Sequence, residues 1–283
     1  MGDAVILETY PEGFEKDDEL RSNFIRELTL MQISRADDRA KFGPTRNESI
    51  PKRLLQYWHD PADLPDDVRA CLSSWDRLGA EGFECLFFDD AAAGAFIYRR
   101  FGPRESTAFE RCRHPAMRSD FFRMCFILAE GGLYVDADDV LISEGWRHLF
   151  TNRKLKIQPL CYDVDATGML PTSEIWNADL DTLNRIFYVN NNPIAAPAGH
   201  PVLRRALQQA TDKLLSDNAV PEIQSTTGPG NLTEALAAHA HEAFVAGAPF
   251  DFDLITGWDD TGRTKWDLSY RGDARNWRNM DGN

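Results

Sequence analysis

The chain has 283 residues, a hydrophobic share of 43% and a formal net charge of −14, with an isoelectric point near 4.9. That length can bury one substantial core, and the composition is ordinary for a globular protein. The acidic balance argues against a nucleic-acid or anionic-membrane surface. An acidic chain that binds an anionic ligand needs local positive charge, from a metal ion or from a few arginines.

Cysteine content and apolar runs bear on where the protein works. The cysteines show no Cys-x-x-Cys spacing and are Cys71, Cys85, Cys112, Cys125 and Cys161. Their odd number and the apolar neighbours of three of them predict free, buried thiols, as in a reducing cytoplasm. No apolar run approaches the roughly 18 residues of a membrane span, and the N-terminus lacks a signal pattern. We therefore expect a cytoplasmic protein without a membrane anchor.

Residues 1–49 read as an N-terminal extension. Leu20, Phe24, Leu28 and Met31 lie at helical spacing between charged residues, which predicts an amphipathic helix. This helix either packs on the main domain or contacts an acceptor or a partner, and the sequence leaves both interpretations open.

The following residues alternate between strand and helix patterns. Residues 50–58 predict a first strand ending in Tyr57 and Trp58, and residues 64–78 have helical spacing. Residues 83–88 predict a buried strand, and Asp89-Asp90 can cap the helix that follows. This order predicts a mainly parallel α/β sheet. Ligands of such sheets bind at the carboxyl ends of strands, so Trp58 could line a cleft, although a core position is the simpler interpretation.

The most informative stretch is 118–139. A mostly apolar helix carries Asp120 and Arg123 near its start, and Gly131-Gly132 can end it in a left-handed conformation. A short apolar strand then runs into Asp136-Ala137-Asp138-Asp139.

The carboxylates and the arginine of this stretch suit a nucleotide sugar. Asp136 and Asp138 point the same way in an extended chain, and a hard divalent cation prefers such oxygen ligands. Asp120 and Arg123 share a helix face and could bind sugar hydroxyls and phosphate. A solvated turn and a surface ion pair are the alternatives for these two motifs.

Taken together, these motifs resemble a known family. Ser119-Asp120-x-x-Arg123 followed by Gly131-Gly132-x-Tyr134-x-Asp136-x-Asp138 is similar to the core of the DXD-motif sugar-binding-region glycosyltransferases. This family includes fungal initiating mannosyltransferases, bacterial capsule glycosyltransferases and clostridial glucosylating toxins. The resemblance spans residues 50–236 and is strongest between Ser119 and Asp138.

The resemblance implies roles for further residues. The aromatic that ends the first strand, Trp58, would stack on the donor base beside Tyr57. Asn191 or Asn192, in a run of three asparagines before Gly199-His200-Pro201, would face the donor. Asn276-Trp277 stands where the family has Ser-Trp near the metal and the diphosphate, and Asn276 replaces the serine.

The implied protein is a GT-A-type (Rossmann-like) glycosyltransferase that depends on Mn²⁺ or Mg²⁺ and retains the anomeric configuration. Residues 50–250 would form the catalytic domain, and residues 251–283 a tail or a lid over the active site. Asp138 would bind the metal, Asp136 the ribose, the sugar edge and the metal, and Asn276 would be a third metal ligand. Catalytic roles fall to Asp120, Arg123, Asp136 and Asp138.

The donor and the acceptor stay open at this stage. A UDP-sugar is favoured because many bacterial relatives use one, and a bacterial source is expected on the same ground; a GDP-sugar is the alternative. The acceptor would be a glycan, a small molecule or a protein. Two other functions also stay open, namely an inactive nucleotide-sugar-binding module and a haloacid-dehalogenase-type phosphatase, whose nucleophile loop also pairs an apolar strand with Asp-x-Asp.

Overall fold

The computed structural model describes residues 10–39, 50–177, 179–216, 222–276 and 278. The strands are β1 (Arg53–Tyr57), β2 (Glu84–Phe88), β3 (Gly132–Tyr134), β4 (Asp139–Leu141), β5 (Leu155–Asp163), β6 (Gly168–Met169), β7 (Arg185–Ala196), β8 (Phe252–Leu254) and β9 (Gly262–Thr264). The helices are α1 (Asp18–Arg39), α2 (Asp66–Ser73), α3 (Asp90–Phe101), α4 (Pro103–Glu110), α5 (Pro115–Glu130), α6 (Thr172–Ile175), α7 (Pro201–Leu215), α8 (Ile223–Thr226) and α9 (Pro229–Val245).

The central sheet has the strand order β2-β1-β3-β7-β5-β6, and β8 pairs with β5. β1 is parallel to both β2 and β3, β7 is antiparallel to β3 and β5, β6 is antiparallel to β5, and β8 is parallel to β5. Five of the seven strands therefore run in one direction. The predicted α/β class, with a mixed, mainly parallel sheet flanked by helices, is confirmed.

Alternating side chains of the strands divide the core into two layers. Leu55 and Tyr134 pack in the large cluster that includes the helices α5, α7 and α9, whereas Leu54 and Leu133 pack in a second cluster around Trp75. This division follows from the period of two in a strand, which sends neighbouring residues to opposite faces.

The predicted N-terminal helix is present as α1, and it packs on the main domain. Phe24, Ile25 and Leu28 are fully buried in the large cluster, beside α9 and β7. The segment predicted as a tail begins with β8, which belongs to the central sheet, and continues through β9, which pairs with β4.

Three details of the sequence interpretation were wrong. The strand β2 is an edge strand rather than a buried one, since β1 alone pairs with it among the described residues, and Cys85 on it is exposed while the other cysteines are buried. The three asparagines 190–192 lie inside the long strand β7 instead of at a strand end. Asp89 caps α3 as expected, but Asp90 bonds to Tyr57 and Arg118.

Among the helices in the described part of the chain, none has both the length and the apolar character needed to cross a bilayer.

Candidate active site

A cleft of about 1340 Å³ opens where β1 and β3 end. Its walls come from the residues after those strands, from the first turns of α5, from β7 and from the segment after β8. The sequence-predicted residues within the described ranges lie together on these walls: Tyr57, Trp58, Asp120, Arg123, Asp136, Asp138, Asn191, Asn192 and Asn276. Trp277 lies outside the described residues.

The helix α5 is buried on almost every side, and a polar stripe runs along its first half. His114 caps its N-terminus by accepting from the amide of Ala116. Arg123 and Asp120, one turn apart, form an ion pair of 3.0 Å in which both side chains are less than 10% exposed. This is the shared face that the spacing predicts, but it points into the protein's cleft instead of forming a surface pair.

Hydrogen bonds from β7 and from the residue that follows α8 hold the carboxylate of Asp120. Asn191 donates its amide to one oxygen at 2.8 Å, and the Thr227 hydroxyl lies 3.4 Å from the other. Burial raises the pKa of Asp120 to about 6, while Arg123 opposes the rise. Near neutral pH this carboxylate is therefore ionised, and Arg123 compensates its charge.

Asp136 joins the same network from the end of β3. Its Oδ1 lies 3.0 Å from the Arg123 guanidinium and accepts from the Tyr134 hydroxyl at 2.7 Å. Its backbone amide donates to the Asn192 side chain at 3.0 Å. Arg123 also stacks over the Tyr134 ring at 4.1 Å and donates to the Asn191 carbonyl at 2.8 Å. Arg123 thus bridges Asp120 and Asp136.

The backbone between the two carboxylates is a turn, and not the extended strand that the sequence interpretation assumed. β3 ends at Tyr134, and the amide of Asp139 donates to the carbonyl of Asp136 at 3.1 Å. Both Asp136 and Asp138 still line the cleft. The turn forms because the ladders with β1 and β7 have already ended at that point.

Asp138 contacts a different set of partners. Its Oδ2 accepts from the Tyr270 hydroxyl at 2.6 Å and from the guanidinium of Arg271. Burial and then the charge of Asp136 raise the pKa of Asp138, and Arg271 opposes that rise. The carbonyl of Asp138 accepts from the amide of Lys265 at 2.8 Å. Residues after β9 therefore hold this carboxylate.

The third carboxylate of the run supports the other two. Asp139 is fully buried and accepts from Asn192 at 2.9 Å and from Thr264 at 2.7 Å. The Asn192 amide group therefore connects Asp139 to the backbone of Asp136. Sequence reasoning assigned no role to Asp139, because its side chain does not share the direction of Asp136 and Asp138.

Tyr57 is the last residue of β1, and Trp58 follows it. Trp58 is 8% exposed, donates its indole N–H to the Asp63 carbonyl at 3.3 Å, and meets the Tyr270 ring edge-on at 5.3 Å. The Tyr57 hydroxyl bonds to Asp90, so its polar end is already occupied. Trp58 is thus packed against its neighbours and also lines the cleft, so the core position and the cleft position that the sequence left open both apply to it.

Asn276 bonds within its own segment. Its amide N–H donates to the Arg271 carbonyl at 2.8 Å, and its oxygen accepts from the amide of Arg278 at 3.2 Å. Sequence reasoning missed Tyr270 and Arg271, which reach Asp138 from more than 130 residues away. No periodic pattern marks this segment, and only its excess of arginine could have drawn attention to it.

The donor atoms around the carboxylate pair fit a divalent ion. Asp136 and Asp138 offer hard carboxylate oxygens, and a cation, the Arg271 guanidinium, lies against Asp138. Within the described ranges, no group of three or more His, Cys, Asp and Glu residues is arranged to hold a metal. Two carboxylates supplemented by substrate phosphates are a common arrangement for such ions.

Residues 65–153 match the family model described as "Glycosyltransferase sugar-binding region containing DXD motif". The resemblance to the DXD glycosyltransferase family is thereby confirmed. The matched region contains α5, with the buried Asp120 and Arg123, and the Asp136–Asp138 turn.

Two proteins similar to this chain are fungal, and each has the name "Initiation-specific alpha-1,6-mannosyltransferase". The Schizosaccharomyces pombe protein is 26% identical over 235 residues, which cover 79% of this chain and 56% of that protein. The Candida albicans protein is 21% identical over 253 residues, which cover 77% of this chain and 63% of that protein. The chain thus spans less than two thirds of the length of either relative. Among solved structures, "PaToxG Glycosyltransferase" aligns with 14% identity and a TM-score of 0.48, over 85% of this chain and 94% of that chain.

Proposed function

We propose that this protein is a metal-dependent, retaining glycosyltransferase that moves a sugar from a nucleoside diphosphate donor to an acceptor. The observation that carries the proposal is the contact of Arg123 with both Asp120 and Asp136 in one cleft beside Asp138. Arg123 and Asp120 are buried and already paired, so they form a preorganised site for a polar ligand, since little reorganisation remains when the ligand binds.

Each charged group has a proposed task. Asp120 and Arg123 bind the donor sugar, with Asn191 and Asn192 fixing the carboxylates around it. Asp136 binds the ribose and the sugar edge, and Trp58 stacks on the base beside Tyr57. A divalent ion, Mn²⁺ or Mg²⁺, held by Asp138 and Asp136 would stabilise the negative charge that develops on the leaving diphosphate. Asn276, which lines the cleft, is proposed as a third metal ligand, and Trp277 as a donor-binding residue.

We propose that the anomeric configuration is retained because the acceptor attacks the sugar from its front face. No carboxylate of the cleft is proposed as a nucleophile, because Asp120 and Asp136 are both paired with Arg123. The acceptor hydroxyl would attack from the side that the diphosphate leaves, and the departing phosphate oxygen would take its proton.

The donor is proposed as a UDP-sugar or a GDP-sugar, and mannose is included among the sugars because of the relatives' name. The acceptor is a glycan, a small molecule or a protein, and the cytoplasmic location rests on the cysteine content. The family match favours the transferase over the phosphatase interpretation, since the matched model describes sugar binding.

The test is a donor panel. The purified protein is incubated with Mn²⁺ and UDP- or GDP-linked glucose, galactose, N-acetylglucosamine and mannose, with EDTA as the control. Melting temperature and free nucleotide are measured together. Stabilisation and slow nucleotide release by one donor, both lost in EDTA, support the proposal.

Two other outcomes have defined meanings. Stabilisation without release, even with an acceptor panel, would indicate an inactive binding module. Absence of both, together with phosphate release from p-nitrophenyl phosphate, would replace the transferase by a phosphatase.

A further inference from the structure

The carboxylate best placed for a metal ion already has a positively charged partner. The Arg271 guanidinium and the Tyr270 hydroxyl bond to the same oxygen of Asp138, and the side chains of Arg271 and Asp138 are each only 14% exposed. A metal ion bound to Asp138 would therefore have to compete with Arg271 for that oxygen.

The segment that carries Arg271 is positively charged within an acidic chain. Residues 262–278 contain five Lys or Arg and two Asp, whereas the whole chain has a net charge of −14. Arg271 and Arg278 lie over the Trp266 ring, at 4.4 and 4.8 Å from its centroid. Both arginines line the cleft, so positive charge is concentrated where an anionic donor would enter.

We infer that Arg271 exchanges partners when the donor binds: it leaves Asp138 to the divalent ion and moves to the phosphate oxygens of the donor's diphosphate. This inference rests on the proposed function. A planar guanidinium matches two phosphate oxygens at once, and such charge-assisted pairs are stronger than ordinary hydrogen bonds. The diphosphate thus offers Arg271 a replacement for the carboxylate that it gives up.

The exchange makes Arg271 a link between two binding events. Without nucleotide, Arg271 competes with the metal for Asp138, so the metal binds weakly. With nucleotide, Arg271 has a new partner and the competition disappears. Metal and nucleotide should therefore strengthen each other's binding, and this coupling must be the same in both directions.

The test is a Mn²⁺ titration followed by electron paramagnetic resonance of the free ion, with and without UDP, and with GDP in a parallel series. In Arg271→Met, we expect Mn²⁺ alone to bind about tenfold more tightly, because its competitor is gone. We expect the nucleoside diphosphate to bind about tenfold more weakly at saturating Mn²⁺, because its ligand is gone. Opposite changes are the signature of the exchange.

Two further variants complete the experiment. Arg205→Met removes an arginine that pairs with Glu242 on the helices α7 and α9, outside the cleft, and should change neither affinity. Arg271→Lys keeps a positive charge but loses the planar fork. It should leave the affinity for Mn²⁺ alone near the wild-type value and weaken nucleotide binding. A circular-dichroism melt of each variant verifies folding.

Several results would overturn the inference. If Arg271→Met weakens both ligands, Arg271 merely supports the site; if it changes neither, Arg271 takes no part in binding. In both cases the proposed function survives, because the wild-type protein still binds Mn²⁺ and nucleotide. If the wild-type protein fails to bind Mn²⁺ in the presence of UDP and also in the presence of GDP, both the proposed metal dependence and the proposed exchange are wrong.

Discussion

Two arginines contact carboxylates in the same cleft, and their surroundings differ. Arg123 lies one turn from Asp120 on the same helix, also contacts Asp136, and has a side chain that is 5% exposed. Arg271 reaches Asp138 from a segment near the end of the chain, where neighbouring residues bond to the surface side chains Asp63 and Asp67. The first pair is built into the core, whereas the second depends on a peripheral segment.

This difference suggests a division of labour. A helix and a central strand keep Arg123 in place whether or not a ligand is present, so it suits the donor sugar. The connection of Arg271 to the sheet is long and mostly polar, and such segments open at a lower free-energy cost than the core. The diphosphate side of the cleft is therefore the side that we expect to change on binding.

The largest expected effect compares these two arginines directly. Arg123→Met leaves the buried Asp120 without its cation, and should lower the free energy of unfolding by about 3–5 kcal/mol. Arg271→Met removes charged hydrogen bonds nearer the surface, and should cost no more than about 2 kcal/mol. Urea unfolding followed by tryptophan fluorescence measures both. Equal losses would contradict the distinction between a core pair and a peripheral one.

The second prediction concerns pH. Because burial raises the pKa of Asp120 to about 6, the folded protein protonates this carboxylate as pH falls through 6, and the ion pair with Arg123 is lost. The value of kcat/KM for the donor should then fall about tenfold per pH unit below that point. Asp120→Asn should be slow at every pH and lack this step. A wild-type profile that is flat between pH 5 and 7 would contradict the role of an ionised Asp120.

The titration of Asp120 affects stability in the opposite direction to activity: as pH rises, activity increases and this group's contribution to the free energy of unfolding decreases. A carboxyl group of an unfolded chain titrates near about 4, so the folded chain binds more protons than the unfolded chain between about pH 4 and 6. This group's contribution to stability is present below that window and is lost as pH rises through 6. The free energy of unfolding of Asp120→Asn should therefore fall less between about pH 4 and 6 than that of the wild-type protein.

The smallest expected effect concerns Trp58. If its ring stacks on the donor base, Trp58→Leu should raise the KM for the donor about tenfold and leave kcat nearly unchanged, since base stacking contributes about 1–3 kcal/mol. Steady-state kinetics with the best donor of the panel tests this. An unchanged KM would show that Trp58 only packs against Tyr270 and Leu268.

Local patterns were enough to predict most of the fold and the centre of the site. Helical spacing located α1 and α7, Gly131 ended α5 with its φ of 67°, and the i, i+3 spacing of Asp120 and Arg123 predicted their contact. Each of these features depends on residues close together in the chain. Sequence periodicity records such relations directly.

The parts that escaped prediction depend on long-range pairing. Asn191 and Asn192 looked like turn formers, but they lie within β7, in an irregular stretch between Val189, which pairs with Pro159 of β5, and Ile194, which pairs with Ile157 of β5 and Tyr134 of β3. Arg271 could not be connected to Asp138, because nothing in their spacing reports a contact across 133 residues. The edge position of β2 likewise follows from the strand order, which its own residues do not encode.

The most direct test of the central claim is nucleotide release by Asp138→Asn. This variant removes one charge at the proposed metal ligand, and Asp89→Asn is its matched control, since it makes the same change at the cap of α3, where asparagine also caps well. With the best donor and Mn²⁺, Asp138→Asn should release nucleotide about a thousandfold more slowly than the wild-type protein, with its folding intact. Asp89→Asn should match the wild-type rate. A fully active Asp138→Asn protein would show that the carboxylate turn is not the catalytic centre.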